Sequence, residues 1–246
     1  LVYPDLDKDM GEAAISVAVH RVLQGVHEAA VAASRSSPTL VAVSKKHSAQ
    51  AVCHAYNAGL RHFGENYVQE LHSKALAVQG QCKEIKWHFI GHLQRNKTKV
   101  LVDVPHLWMV ETLESEKMAQ TLNTAWSTSE HQRPLRVLVQ VNTSRENDKH
   151  GCLPEACQDL VQFVTKECRH LTFCGLMTIG RAGYNAKDGP NPDFMTLLRC
   201  GEKLLQSLHL DRPLEFSMGM SADYHHAVQL GSTIVRIGSA IFGARS

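Results

Sequence analysis

The sequence of 246 residues lacks several features that would indicate particular classes of protein. Its longest apolar runs have the length of a strand and fall far short of a membrane span. The 26 Lys and Arg residues nearly balance the 24 Asp and Glu residues and are scattered, so nothing indicates binding to nucleic acid or to an anionic membrane. No GxGxxG motif follows the first predicted strand, which removes the main support for a dinucleotide-binding fold.

Cysteine is present, but its pattern predicts neither disulfides nor a zinc site. The seven cysteines are odd in number, and no two of them have CxxC spacing. A reducing compartment therefore fits best, and we expect a cytoplasmic protein. The first nine residues contain no signal-peptide pattern. Because the sequence does not begin with Met, a trimmed targeting segment and a mitochondrial fraction stay open.

Strand-like and helical patterns alternate along the chain and predict a single α/β domain. From Ile15 to Ala33, apolar residues recur in steps of four and three, which predicts an additional N-terminal helix over about residues 10–35. Nearly continuous apolar runs then follow, as in a parallel sheet buried on both faces. We expect a (β/α)8 TIM-type barrel over about residues 39–246, rather than an open doubly wound sheet. Its predicted strands are 40–45, 62–65, 87–91, 107–111, 136–142, 173–179, 215–220 and 234–237.

The first predicted strand ends in a pair of lysines. In such barrels the functional residues lie at the carboxyl ends of the strands. Lys45 has the same phase as Val41 and Val43, whereas Lys46 has the opposite phase, so only one of the two lysines can enter the barrel mouth. Taken alone, a lysine at a strand end is more often solvated than reactive.

The loops after the last two strands predict a phosphate site. Ser221 follows the seventh strand, and Gly238 and Ser239 follow the eighth. These loops commonly bind phosphate in barrels of this type, although Gly and Ser are also ordinary turn residues. A phosphate site together with a pocket lysine suggests a phosphorylated aldehyde held as a Schiff base, which requires a neutral amine.

Seven motifs follow one another in order from Leu40 almost to the C terminus. They are LVAVSK (40–45), FGENYVQE (63–70), WHFIGHLQ.NK (87–97), VNTS.E..K.G (141–151), GLMTIG (175–180), SMGMSADY (217–224) and GSTIVRIGSAIFG (231–243). Together they closely resemble the family of pyridoxal 5′-phosphate (PLP) homeostasis proteins, which is similar in fold to the N-terminal barrel of alanine racemase.

The resemblance implies a set of PLP-binding residues. Lys45, directly after Val-Ser, would carry PLP as a Schiff base, and Arg236 would point its guanidinium at the pyridine nitrogen. The sequence departs from the family pattern at Lys46-His47, where a small residue and a lysine are usual; the phase and the Val-Ser context still favour Lys45. The other residues implied are Asn66 in the pocket wall and Ser221, Gly238 and Ser239 around the phosphate.

Arg236 also indicates how active such a protein would be. An arginine cannot accept a proton, so the pyridine nitrogen that it faces stays unprotonated and the ring is a poor electron sink. The sequence ends at Ser246, and we expect no second domain to supply the second base that alanine racemase uses. We therefore expect a PLP-binding protein in intracellular vitamin B6 homeostasis, with little or no turnover and no catalytic residues. A PLP-dependent amino-acid racemase is the alternative.

Three further expectations concern partners and metals. Lys149 matches a family lysine and is a candidate for PLP transfer by transimination, with a solvated loop lysine as the competing interpretation.

We expect a monomer whose partners are PLP and apo-forms of PLP enzymes. We expect it to bind neither nucleic acid nor membrane. A metal-dependent hydrolase with His88, His92 and Glu65 is disfavoured, because histidines four residues apart on a strand lie about 13 Å apart. No metal site is predicted.

Overall fold

The computed structural model describes residues 9–208, 210 and 213–243. In these residues eight parallel strands form a closed barrel in chain order, and β1 pairs with β8 to close it, with Val41 opposite Arg236. The predicted (β/α)8 barrel is therefore confirmed. The strands are β1 Thr39–Val43, β2 His62–Glu65, β3 Lys86–Phe89, β4 Leu107–Leu113, β5 Leu135–Gln140, β6 Leu171–Met177, β7 Glu215–Ser217 and β8 Ile234–Ile237.

Helices surround the barrel, and a long one precedes the first strand. The predicted N-terminal helix runs from Glu12 to Ala32 and buries Ile15, Val19 and Val22 against the rest of the protein. Burial of each such side chain contributes about 1.5–3 kcal/mol to folding. No helix in the described part of the chain is long and apolar enough to span a membrane. The helices are α1 Glu12–Ala32, α2 Ala49–Asn57, α3 Val68–Val78, α4 Thr98–Val102, α5 Glu116–Ser127, α6 Cys157–Glu167, α7 Pro192–Ser207, α8 Tyr224–Leu230 and α9 Ser239–Phe242.

The strands separate two hydrophobic clusters, as alternation along a barrel strand requires. The larger cluster fills the space between strands and helices. The smaller one includes Val41, Met109, Leu138 and Ile234 and occupies the barrel interior. The strands also bury polar side chains, among them His88, Glu111, Ser217 and Arg236.

Five predicted strands (β1, β3, β5, β6 and β7) end earlier than expected, and backbone turns explain this at β1 and β7. β1 ends at Val43 rather than Lys45, because Lys46 has a φ of +65° and the chain turns there. β7 ends at Ser217, and the chain then turns at Gly219, where φ is +95° and a Cβ atom would lie 2.5 Å from the Cβ of Ala227. The first eight residues, where no signal peptide was predicted, lie outside the described part of the chain.

Candidate functional site

The two lysines after β1 lie in different environments. Lys45 is half-buried, whereas Lys46 is exposed. The backbone N–H of Lys46 donates a hydrogen bond of 2.5 Å to Glu70 Oε1, which fixes the turn. The structure therefore distinguishes the neighbouring lysines by exposure, and Lys45 is the one that lies partly inside the protein.

A buried ionic cluster anchors the residue that precedes Lys45. The hydroxyl of Ser44 donates a hydrogen bond of 2.7 Å to Glu65 Oε1. Lys74 Nζ donates bonds of 2.7 Å to the carbonyl oxygen of Ser44 and to the carboxylates of Glu65 and Glu70. Burial raises the pKa of Glu65 to about 7, although Lys74 acts to lower it. These contacts fix Ser44, and Lys45 follows it at the turn that ends β1.

Arg236 lies in the barrel interior and is held at two points. Its side chain is buried; NH1 donates a bond of 2.6 Å to Ser217 Oγ, and NH2 donates one of 2.8 Å to the carbonyl oxygen of Thr178. Burial lowers the pKa of the guanidinium, while Glu111 and Asp223 raise it. The group stays charged near neutral pH, because the guanidinium of an arginine is not deprotonated in proteins.

The contacts of Arg236 continue as a chain of hydrogen bonds across the interior. Ser217 Oγ donates to Glu111 Oε2 over 2.6 Å, and Glu111 Oε1 lies 2.6 Å from His88 Nδ1. His88 Nε2 lies 2.8 Å from Nδ1 of His62, at the start of β2. Burial alone would raise the pKa of Glu111, but the hydrogen bond and charge of His88, with Arg236 and Ser217, hold it below its ordinary value. We call His62, His88, Glu111, Ser217 and Arg236 the interior network.

The predicted phosphate residues meet beside β1. The backbone N–H of Gly238 donates a bond of 3.3 Å to Ser221 Oγ, which joins the loops after β7 and β8. A Cβ atom on Gly238 would lie 3.1 Å from the carbonyl oxygen of Val43, so this backbone closely approaches the end of β1. Ser239 is exposed and begins α9, and the first N–H groups of any helical turn lack partners inside it.

Asn66 lies at the end of β2 and presents an unsatisfied acceptor. In the described part of the chain, its Oδ1 atom is buried and has no hydrogen-bond partner. Its backbone is tightly packed, because a Cβ atom on Gly91 would lie 1.9 Å from the carbonyl oxygen of Asn66. A buried acceptor without a donor is costly, and it is typical of a site that a ligand or water completes.

Lys149 lies in the loop after β5 and is engaged rather than free in solvent. Its Nζ donates a bond of 2.8 Å to the carbonyl oxygen of Gly180 and also bonds the carboxylate of Glu146. Gly180 follows β6, so Lys149 connects two neighbouring loops at the mouth. A role of Lys149 in PLP transfer stays a prediction.

The three residues of the disfavoured metal hypothesis have separate partners. His88 bonds within the interior network, Glu65 bonds to Ser44 and Lys74, and His92 lies at the mouth. They do not form one cluster.

The supporting residues Lys74, Glu111 and Ser217 were not predicted for any role. The sequence does contain a signal for Lys74, because Glu70 and Lys74 have the i,i+4 spacing at which opposite charges pair on a helix. For the others, the only signal was a polar residue within a strand that is otherwise apolar.

Taken together, the described residues define a (β/α)8 barrel with an amine, a buried arginine and a glycine–serine loop pair around one mouth. A family model for the alanine racemase N-terminal domain matches residues 25–246. The pyridoxal phosphate homeostasis protein of Homo sapiens is 46% identical over 241 residues, which cover 95% of this chain and 88% of the relative. The protein of that name from Caenorhabditis elegans is 42% identical over 234 residues, covering 94% and 96%. The chain belongs to the pyridoxal phosphate homeostasis protein family, as its motifs predicted.

Solved structures agree with this assignment. PipY of Synechococcus elongatus PCC7942, determined with PLP bound, has a TM-score of 0.79 at 28% identity, covering 93% of this chain and 100% of that chain. Alanine racemase of Clostridium difficile 630 has a TM-score of 0.70 at 12% identity, covering 93% of this chain and 57% of that one. At that identity, the similarity to the racemase shows the fold alone.

Proposed function

We propose that this chain binds PLP as a Schiff base on Lys45 and acts in intracellular vitamin B6 homeostasis, with little or no turnover. The observation that carries the proposal is Arg236, a buried guanidinium fixed by Ser217 and Thr178 below the mouth. A homeostasis role is what the names of the relatives state for those proteins, and the chain aligns with most of their length.

The side chains at the mouth fit this cofactor. Asn66 Oδ1 is a buried acceptor that has no donor among the residues that the structure describes, and the Ser221–Gly238 contact places a hydroxyl and a backbone N–H beside the end of β1. In this proposal Asn66 lines the ring, and the phosphate is held by Ser221, Gly238 and Ser239. When bound, PLP supplies an aldehyde carbon. The Nζ atom of Lys45 forms a C=N bond to that carbon, and water leaves.

The role of Arg236 is to leave the pyridine nitrogen without a proton. A guanidinium donates hydrogen bonds and has no lone pair that accepts one. The negative charge of Glu111, which accepts a hydrogen bond from Ser217, compensates the positive charge of Arg236. Carbanion chemistry at a bound amino acid then receives little assistance from the ring. This favours storage and delivery over catalysis.

We propose that Lys149 assists release by transimination. Its amine lies at the mouth, where it donates hydrogen bonds to the carbonyl oxygen of Gly180 and to the carboxylate of Glu146. In this role Lys149 would accept the cofactor from Lys45, and PLP would supply the aldehyde carbon that both amines can hold. An apo-enzyme is the proposed recipient.

The remaining proposals concern the setting of the protein. We propose that one barrel domain acts as a monomer in a reducing compartment such as the cytoplasm. The odd number of cysteines and the absence of CxxC spacing in the sequence support this proposal.

A visible-absorbance titration with PLP tests the proposed function. The parent and Lys46→Ala should develop the yellow band of a Schiff base at one PLP per chain, and Lys45→Ala should not. Lys46→Ala is the matched control because the two lysines are adjacent. The loaded parent should leave the optical rotation of single L-amino acids unchanged over hours. Rapid loss of rotation would establish a racemase instead.

A further inference from the structure

Two histidines and a glutamate converge at the mouth on three consecutive strand ends. His92 follows β3, Glu114 directly follows β4, and His150 lies in the loop after β5. His92 Nδ1 lies 3.1 Å from Glu114 Oε1, and His150 Nδ1 lies 3.6 Å from Glu114 Oε2. One ligand atom from each residue lies within 4.8 Å of the others. We call these residues the mouth triad.

The three residues lie close enough to share one small cation. Bonds of about 2.0–2.2 Å in tetrahedral directions place ligand atoms about 3.4 Å apart. One ligand atom of each triad residue lies within 4.8 Å of the others, so small side-chain movements bring all three to one ion. Two imidazole nitrogens and a carboxylate form a ligand set that suits a borderline divalent ion such as Zn²⁺. We propose that the mouth triad is a binding site for a divalent transition-metal ion of the Zn²⁺ type.

The triad needs only a ring rotation to receive an ion. The rings of His92 and His150 stack with centroids 3.7 Å apart and an angle of 11° between their planes. Because the lone pair of an imidazole nitrogen lies in the ring plane, one ring must turn before both nitrogens face the same ion. Glu114 accepts a hydrogen bond of 3.2 Å from the backbone N–H of Gly151, which orients the carboxylate as outer contacts orient metal ligands. Gly151 has a φ of +120°, and a Cβ atom there would lie 2.7 Å from the backbone nitrogen of Asn142, so this turn requires glycine.

An ion from solution has access to the triad. The side chains of His92 and His150 are 39% and 53% exposed, whereas Glu114 is 21% exposed. Three protein ligands leave a fourth position for water, as in open zinc sites. The triad shares no ligand atom with Lys45, Arg236 or the phosphate loops. Because His150 directly follows Lys149, a bound ion would fix the loop that carries that lysine.

A zinc titration by calorimetry tests the site in the full-length, untagged chain after chelator treatment. The parent should bind one Zn²⁺ per chain at a saturable site. Each of three single variants should bind Zn²⁺ at least about 100-fold more weakly: His92→Gln, His150→Gln and Glu114→Gln. Substitution of a residue that only contacts a metal ligand already lowers metal affinity about 10- to 100-fold. Glu114→Gln keeps the shape of the side chain, so its loss of affinity would not reflect misfolding. Zn²⁺ should also raise the melting temperature of the parent but not of these variants.

Two controls separate the triad from other ligands. His20→Gln removes an exposed histidine on α1 that bonds only the carbonyl oxygen of Ser16 among the described residues. Cys152→Ser removes the half-exposed thiol two residues from His150. Both variants should bind Zn²⁺ like the parent. The proposal is overturned if the parent shows no saturable site, if the double variant His92→Gln/His150→Gln retains it, or if Cys152→Ser abolishes it.

Discussion

Arg236 donates a hydrogen bond of 2.6 Å to the hydroxyl of Ser217 in the interior of the barrel. That hydroxyl donates in turn to Glu111, so a buried carboxylate balances the buried guanidinium without touching it. A charge can be buried only when it is paired and hydrogen-bonded. The position of Arg236 below the mouth therefore depends on residues from other strands.

Glu111→Gln tests this dependence. The substitution keeps the shape of the side chain and removes its charge, which leaves Arg236 uncompensated in the interior. We expect the free energy of unfolding to fall by roughly 3–5 kcal/mol, the usual cost of leaving a buried charge without its partner. Urea denaturation at neutral pH measures the change. Glu84→Gln is the matched control, since that side chain is 74% exposed. Equal stability of the Glu111 variant and the parent would refute the proposed balance of charges.

Glu65 should make stability depend on pH with a sign opposite to that of most carboxylates. Its pKa rises from 4.5 to about 7 because it is buried, so the folded chain binds this proton more tightly than the unfolded chain. The contribution of Glu65 to stability is then full below pH 4.5 and is lost as the pH rises toward 7. We expect the unfolding free energy of the parent, relative to Glu65→Gln, to decrease across that interval. If the difference in unfolding free energy increases with pH instead, the charge of Lys74 outweighs burial and keeps Glu65 ionised in the folded protein.

Ser221→Ala should weaken the binding of the PLP phosphate and leave the binding of the rest of the cofactor unchanged. The hydroxyl that meets the Gly238 N–H is proposed to bind phosphate, and a hydrogen bond to a charged group is worth about 1.5–3 kcal/mol. We expect PLP to bind roughly tenfold more weakly or worse. Binding of pyridoxal, which has no phosphate, should be unchanged in the same fluorescence titration. Equal losses for the two ligands would place Ser221 outside the phosphate site.

Arg236→Lys should show that shape as well as charge matters below the mouth. A lysine is a point charge and cannot reproduce the two-pronged contact with Ser217 and Thr178. We expect the variant to fold, to bind PLP at least about tenfold more weakly, and to show a shifted absorbance maximum of the bound cofactor. An unchanged affinity and spectrum would remove Arg236 from the ring nitrogen.

Lys149→Ala should separate loading of PLP from its release. Lys149 is proposed to assist transfer only, so the variant should take up one PLP per chain with the parent's yellow band. Transfer to an apo-form of a PLP enzyme, followed through the recovered activity of that enzyme, should be slower. Lys83→Ala, at an exposed position on the surface, is the matched control and should transfer at the parent's rate. If both variants match the parent, Lys149 has no part in transfer.

The sequence was most informative where periodicity and strand ends coincide. All eight strands were predicted, because each is a short apolar run between helical patterns. Their ends were less predictable: Lys45 lies beyond β1, since the turn at Lys46 depends on the contact of its backbone with Glu70, more than twenty residues away. Local patterns carry no signal for a contact of this kind.

The contacts across the barrel could not be predicted from the sequence. Whether Glu111 meets Ser217 depends on strand register and on the irregular pairing at β4, which no single segment encodes. The mouth triad was missed for the same reason. His92 was compared with His88, its neighbour in sequence, whereas its actual partners come from the ends of β4 and β5.

The attachment of PLP to Lys45 is tested most directly by reduction with borohydride followed by peptide mass spectrometry. Protein loaded with PLP should carry one phosphopyridoxyl group per chain, on Lys45 within the peptide that spans Ser44 to Lys46. Lys46→Ala should give the same product, and Lys45→Ala should leave this peptide unmodified. Modification of Lys46 in the parent, or no modification of this peptide after loading, would contradict the account.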